Sequence, residues 1–275
     1  MTDAIRHRGP DDEGQWLDPD AGIALGHRRL SILDLSPEGH QPMISAGGRF
    51  VIIFNGEIYN FAELRLEEER RGTAFRGHSD TEVMLAVIER LGLMEATKRF
   101  AGMFAFALWD RERRELSLVR DRIGEKPLFF GRMGATLLFG SELKALRGHP
   151  EWRGEIDRDA LALYCRYNYV PAPFSIYTGV RKVEPASIVT IAADGSEQTA
   201  RYWRLEEVVA AGLADPLDGS ETEILGQLAG RLSATISEEM LADVPLGAFL
   251  PEGIGPGIAA ATTSGGATDA CDDCM

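Results

Sequence analysis

The stretch that most constrains the fold of this chain is residues 51–60, which read VIIFNGEIYN. Its first four residues are apolar and rich in β-branched side chains, so they predict a buried strand. Asn55-Gly56 follows, and because glycine tolerates positive φ this dipeptide predicts a tight turn at the strand end. With Glu57, the same residues place an amide, a backbone N–H and a carboxylate together. Such groups can stabilise an oxyanion and bind a cation. A plain hairpin turn and a binding site therefore both stay open for these residues.

Composition and charge bound the class of protein. The 275 residues suffice for one or two domains and a sizeable core. The formal net charge of −14 argues against nucleic acid or an anionic membrane as the main partner. No apolar run approaches the roughly 20 residues of a membrane helix, and residues 1–14 lack the apolar core of a signal peptide. We therefore expect a cytoplasmic protein.

Cysteine usage indicates neither a disulfide framework nor a metal site. Cys165, Cys271 and Cys274 are too few and too unevenly spaced for such a framework. The last two have CxxC spacing, but one such pair in a segment without apolar periodicity is weak evidence for metal or redox chemistry. We expect no metal site in the protein itself.

Apolar periodicity predicts several further elements. Residues 102–121 and 128–140 each predict a hairpin. Apolar side chains recur at helical spacing over residues 221–241, which predicts a long helix. Residues 206–219 are acidic and rich in Ala and Gly, which indicates a mobile linker. Residues 120–127 are dense in opposite charges, which predicts a loop held by salt bridges.

Two charged residues each have a structural and a functional interpretation. Arg29 interrupts an apolar strand region, where an arginine is costly without an anionic partner. It either pairs with an internal carboxylate or binds a ligand carboxylate through its guanidinium. Asp80 follows Ser79 at a predicted helix N-terminus. It is either part of the helix cap or the partner of a ligand ammonium group.

Seven segments occur in a fixed order along the chain. They are RGPD at 8–11, RRLSILDL at 28–35, FNGEIYN at 54–60, HSDTE at 78–82, GMFAFALWD at 102–110, DRIGEKPLFFG at 121–131 and FGSELKAL at 139–146. Together they resemble the glutamine-hydrolysing asparagine synthetase family, and the resemblance covers nearly all of residues 1–250.

The resemblance implies an α+β fold in three parts. Residues 1–155 would form a class II glutamine amidotransferase domain, a four-layer αββα sandwich of the N-terminal-nucleophile type. Residues 156–250 would begin an α/β ATP-pyrophosphatase domain, in which a family member uses ATP and Mg to amidate aspartate with ammonia from glutamine. Residues 251–275 would be an aberrant, disordered tail. The implied ligands are glutamine, aspartate and ATP, without nucleic acid or membrane, and a homodimer is a possible assembly.

The resemblance also assigns roles to individual residues. Asn55 and Gly56 would form the oxyanion hole, and Glu57 and Asp80 would hold the α-ammonium group of glutamine. Leu250 would contact ATP. The α-carboxylate of glutamine would be bound at a pocket formed by Arg29, Leu30, Ser31, Ile32 and Leu33.

The sequence departs from the family pattern at both ends. The family nucleophile is an N-terminal cysteine, whereas the first cysteine here is Cys165. Thr2 lies only six residues before Arg8, so we expect that it cannot reach Asn55. After residues 246–250 the family has a Ser-Gly-Gly-x-Asp-Ser pyrophosphate loop, where this chain reads PEGIGP.

From these departures we expect a chain that is truncated at both ends and has no glutaminase activity. One sheet would lack a core strand, and the ATP site would not be intact. Two other interpretations stay open. One is a different class II amidotransferase, and the other is a non-catalytic module that binds glutamine or another subunit.

Overall fold

The computed structural model describes residues 1–240 and 243–244. The chain divides into two compact units, Met1–Arg204 and Leu205–Met275, and each is described by itself. In the first unit the helices are α1 (Phe61–Arg70), α2 (Asp80–Leu91), α3 (Leu93–Arg99), α4 (Leu143–Arg147) and α5 (Arg158–Tyr167), with 3-10 helices at Thr2–Arg8 and Pro37–Gly39. The strands are β1 (Asp12–Asp18), β2 (Ile23–Arg29), β3 (Met43–Ile44), β4 (Phe50–Ile58), β5 (Gly102–Asp110), β6 (Glu115–Arg120), β7 (Phe129–Met133), β8 (Thr136–Gly140), β9 (Val180–Lys182), β10 (Ser187–Ile191) and β11 (Glu197–Arg201).

Antiparallel sheets form the centre of the first unit. The largest, within the described residues, has the strand order β11-β10-β6-β5-β4-β3. A three-stranded sheet has the order β8-β7-β9, and β1 pairs with β2. Both predicted hairpins are confirmed, because β5 pairs with β6 and β7 pairs with β8.

Successive side chains of β4 and β5 point to opposite faces of the large sheet, so these strands contribute to two apolar layers. Ile52 and Phe106 belong to a cluster with residues of α1 and α2 on one side of the large sheet. Val51 and Ala107 belong to a second cluster, with residues of β2 and β7. A third cluster joins β7 and β8 to α4. The order helix, sheet, sheet, helix is the predicted αββα sandwich.

The predicted turn at Asn55-Gly56 is wrong. β4 continues to Ile58, with Asn55 opposite Ala105 and Gly56 opposite Phe104 in the neighbouring strand β5. Local turn propensity is overridden here because a complete antiparallel partner is available. The dipeptide therefore lies inside a strand of the large sheet.

The first compact unit extends beyond residue 155, where the sequence predicted a domain boundary. β10 pairs with β6 in the large sheet, and β9 pairs with β7. These pairings make residues 180–191 part of both sheets of the sandwich. The unit ends at Arg204.

In the second unit the described residues form α6 (Leu205–Ala214) and α7 (Glu221–Glu239). The long helix is confirmed, and Ser220 and Glu223 cap it reciprocally. The mobile linker predicted for 206–219 is wrong for its first part, because α6 includes residues 206–214. Leu250, the strand predicted at 246–250, the tail 251–275 and the CxxC pair lie outside the described residues.

None of the helices in the described part of the chain has the length and apolar character that crossing a membrane requires.

Candidate functional site

A cavity of about 200 Å³ brings together residues from separate parts of the sequence. β2 and the loop after it, the last residues of β4, and the start of α2 form most of its wall. Among the predicted site residues, Ser31 is not in this wall, and its N–H donates to Asp11 at 2.9 Å. The predicted residues that do line the cavity are Arg29, Leu30, Ile32, Leu33, Asn55, Gly56, Glu57 and Asp80.

A glycine is required at position 56 because two strands approach closely there. Its φ is +152°, and a Cβ at this position would lie 2.1 Å from the carbonyl oxygen of Met103. Any side chain would therefore force β4 and β5 apart.

The Asn55 side chain reaches out of the sheet. Its amide nitrogen donates to the Ser141 hydroxyl at 3.4 Å, between β8 and α4. A primary amide has two N–H donors, so one is left for a ligand oxygen. Asn55 can thus donate a hydrogen bond in the cavity while Ser141 holds its amide.

Asp80 is a buried carboxyl group at the N-terminus of α2. Its Oδ2 accepts the N–H of Ile58 at 3.0 Å, and its Oδ1 accepts the hydroxyl of Thr81 at 3.3 Å. Ser79 is the N-cap and accepts the N–H of Glu82, so the cap of α2 is the residue before Asp80. Burial raises the pKa of Asp80 to about 6, against the opposing effect of its hydrogen bonds.

Among the described residues, Arg29 pairs with backbone carbonyls and not with an internal carboxylate. Its guanidinium donates to the backbone carbonyls of Leu33 and Ser36, each at 3.2 Å, and also to that of Asp34. A Cβ on Gly39 would lie 2.0 Å from its Nη2. Arg29 therefore fixes the loop after β2, and two of the five guanidinium N–H groups are left for a ligand.

Hydrogen bonds between charged side chains and the backbone hold the loop 120–127, where the sequence predicted salt bridges. Asp121 is fully buried and accepts N–H groups from Phe104 and from residues 123–126. Arg120 donates to the carbonyls of Gly124, Lys126 and Val183. Charged side chains bind the backbone here because the turn leaves its polar groups without sheet partners.

Several residues of the cavity wall were given no site role from the sequence, among them Gln41 and Lys126. Gln41 is buried, and its carbonyl oxygen accepts the N–H of Phe54 at 2.6 Å. Lys126 enters the wall from the loop after β6. The sequence carries one signal for Lys126, which is its place in the segment DRIGEKPLFFG at 121–131.

A larger cavity of about 680 Å³ adjoins the first, and Asn55 and His27 line both. Consecutive residues of β2 and of β8 line it, although one face of a strand would contribute only alternate residues. Each strand therefore turns an edge toward the cavity, and in the described residues each has a partner on one side only.

His27 and Thr2 are two of the residues that line the larger cavity. Burial, assisted by the charge of Arg29, lowers the pKa of His27 to about 4, so its imidazole is neutral near pH 7. Thr2 lines this cavity and packs beside Gly26. The described residues contain no cluster of His, Cys, Asp and Glu that could hold a metal ion.

Comparison with known proteins gives a family and several relatives. Residues 1–203 match the family model described as a glutamine amidotransferase domain. Asparagine synthetase [glutamine-hydrolyzing] 1 of Bacillus subtilis is 37% identical over 254 residues, which are 92% of this chain and 38% of that protein. Putative asparagine synthetase [glutamine-hydrolyzing] 2 of Methanocaldococcus jannaschii is 34% identical, over 92% of this chain and 51% of that protein. This chain therefore spans about half of such relatives or less.

Solved structures of similar fold include the following one. It is glutamine phosphoribosylpyrophosphate amidotransferase from B. subtilis, with a TM-score of 0.53 and 22% identity. The match covers 74% of this chain and 45% of that one.

Proposed function

The chain belongs to the glutamine amidotransferase domain family, and from that premise we propose that its cavity of about 200 Å³ binds L-glutamine. One observation carries the proposal. Residues implied by three separate motifs line the same cavity: four of the five at 29–33 (all but Ser31), those at 55–57, and Asp80. The cavity is smaller than the roughly 300–1,000 Å³ of pockets for drug-sized ligands, which favours a small ligand such as one amino acid.

The charges of the wall suit an amino acid zwitterion. Glu57 and Asp80 would bind the α-ammonium group, and Arg29 would offer its remaining N–H groups to the α-carboxylate. The carboxamide of glutamine would then point to Asn55 and Gly56. Their N–H groups would donate to its carbonyl oxygen, as an oxyanion hole does.

We further propose that the chain of 275 residues binds glutamine without hydrolysing it. Amide transfer through a covalent intermediate needs a nucleophile and a base within hydrogen-bond reach of each other. The first cysteine in the sequence is Cys165, which is exposed on α5. A non-catalytic glutamine-binding module is accordingly the second candidate function.

The activity of the longer relatives extends the proposal. Two of them are named as glutamine-hydrolysing asparagine synthetases. We propose that this chain corresponds to the glutamine site of such an ATP-dependent ligase. The ligase would use aspartate, ATP and Mg in the cytoplasm and would assemble as a homodimer. Leu250 would then contact ATP.

Calorimetric titration with L-glutamine tests the proposed site, together with an assay for released glutamate. We expect L-glutamine to bind, D-glutamine to bind much more weakly, and no glutamate to appear. Glu57→Gln should weaken binding roughly tenfold or more, because it removes a charge-assisted hydrogen bond. The control is Glu69→Gln, which changes an exposed carboxylate on α1 that pairs with Arg65.

Glu57 is substituted in this test, and not Arg29, because Arg29 also holds a loop. Arg29→Ala should also abolish binding, but it would release the loop that Arg29 holds through three carbonyls. Absence of a binding heat for L-glutamine, or equal affinity in the Glu57→Gln chain, would contradict the proposed function. Rapid release of glutamate would contradict the non-catalytic part alone.

A further inference from the structure

Lys126 is a cation in the wall of the cavity whose ammonium group has no hydrogen bond or ion pair with a residue that the structure describes. Two other cations of the wall are already engaged. Arg8 pairs with Glu142 at 3.1 Å, and Arg28 pairs with Asp3 and with Glu13. Lys126 thus differs from them in having its charge uncompensated within the described residues.

The backbone of Lys126 is held in a fixed place. Its N–H donates to Oδ2 of Asp121 at 3.0 Å, and its carbonyl accepts Nε of Arg120 at 2.8 Å. The same Oδ2 accepts the N–H of Phe104, which lies opposite Gly56. Lys126 is therefore tethered to the part of β5 that faces the Gly56-Glu57 end of β4.

An ammonium group in this position lacks part of its hydration. Lys126 is only partly exposed, and a partly buried charge without a partner is unfavourable until an anion binds. Arg29, a further cation of the wall, already uses three of its N–H groups on backbone carbonyls. An anionic ligand group in the cavity would therefore be attracted most strongly by Lys126.

We propose that Lys126 determines ligand specificity by binding the α-carboxylate of glutamine. The α-carboxylate and the α-ammonium group are attached to the same carbon. A ligand whose ammonium group is held by Glu57 therefore carries its carboxylate close to this end of the cavity. Lys126 and Arg29 together would then select ligands with a free α-carboxylate. This inference rests on the proposed function and adds a residue to its site.

The test combines two changes, removal of the Lys126 charge from the protein and removal of the α-carboxylate from the ligand. L-glutamine and 4-aminobutanamide, which lacks only the α-carboxylate, are titrated by calorimetry into the unchanged chain and into Lys126→Met. We expect the substitution to weaken L-glutamine roughly 10- to 100-fold and to leave 4-aminobutanamide unchanged. Lys98→Met is the matched control, because Lys98 is an exposed lysine of α3 that pairs with Glu95, and it should alter neither affinity.

A second variant separates charge from structure. Lys126→Arg keeps the charge and should bind L-glutamine within about threefold of the unchanged chain. Equal losses in the Met and Arg variants, equal losses for both ligands, or no loss in Lys126→Met would each overturn the role of Lys126. These results are distinct from failure of the unchanged chain to bind L-glutamine, which would overturn the proposed function and this inference together.

Discussion

The Oδ2 atom of Asp80 accepts the backbone N–H of Ile58 at 3.0 Å, which joins the N-terminus of α2 to the end of β4. The bond places a carboxyl group beside Glu57 in the wall of the cavity. Because the same carboxyl group is buried, its pKa is raised to about 6. Two predictions follow from this combination of burial and position.

The affinity for glutamine should fall as the pH is lowered through about 6, because protonated Asp80 cannot attract an ammonium group. Calorimetric titration between pH 5 and 8 measures this. The Asp80→Asn chain should bind weakly and lose this part of the pH dependence. Equal affinity of the unchanged chain at pH 5 and pH 7.5 would contradict the role of Asp80.

Asp80 should also lower stability at neutral pH. Its pKa in the folded chain is about 6, above the ordinary value of 3.8. Protonation of Asp80 therefore stabilises the folded state. This stabilisation is complete at pH values below the ordinary pKa of 3.8 and is lost as the pH rises through about 6. We expect Asp80→Asn to increase the free energy of unfolding by about 1–2 kcal/mol at pH 7.5 and by much less at pH 4. Urea denaturation at the two pH values checks this, and an equal change at both would contradict it.

Gly56→Ala should destabilise the chain strongly. The new Cβ would lie 2.1 Å from the carbonyl oxygen of Met103, at a φ of +152°. Strain and overpacking together should cost about 3 kcal/mol or more. Gly72→Ala is the matched control, because its φ of +94° is also unfavourable but no atom lies within 4 Å of the added Cβ. Thermal unfolding of both variants measures the difference, and equal losses would show that the close approach of β4 and β5 is not the cause.

Asp121→Asn should lower stability by about 3 kcal/mol, because each of its two carboxylate oxygens accepts backbone N–H groups. An amide nitrogen in place of one oxygen would face donors and leave them unsatisfied. Asp194→Asn, at an exposed hairpin, is the control and should change the free energy by about 0.5 kcal/mol or less. Similar effects of the two substitutions in urea denaturation would contradict this account of the loop.

The strands and hairpins could be predicted from sequence because their apolar periodicity is local. Asn55-Gly56 was misassigned as a turn because the pairing partner that keeps it extended, Ala105 with Phe104, lies about 50 residues further along the chain. The sequence shows that Arg29 needs a partner. It does not show that three backbone carbonyls of the following loop are that partner.

Most of the residues that the family resemblance named line one cavity, but the resemblance gave no role to Lys126. Lys126 belongs to a motif, but its place in the cavity depends on Asp121 joining the loop to Phe104. Such a link is visible only in three dimensions. The same holds for Gln41, whose buried amide bonds to both Phe54 and Thr81.

A crystal structure of the chain with L-glutamine tests the central claim most directly. We expect the amino acid in the cavity of about 200 Å³, with its α-ammonium group within hydrogen-bond distance of Glu57 and Asp80. Its carboxamide oxygen should lie at Asn55 and Gly56. An empty cavity at a saturating concentration of L-glutamine, or a bound glutamine with its carboxamide at Asp80, would contradict the account.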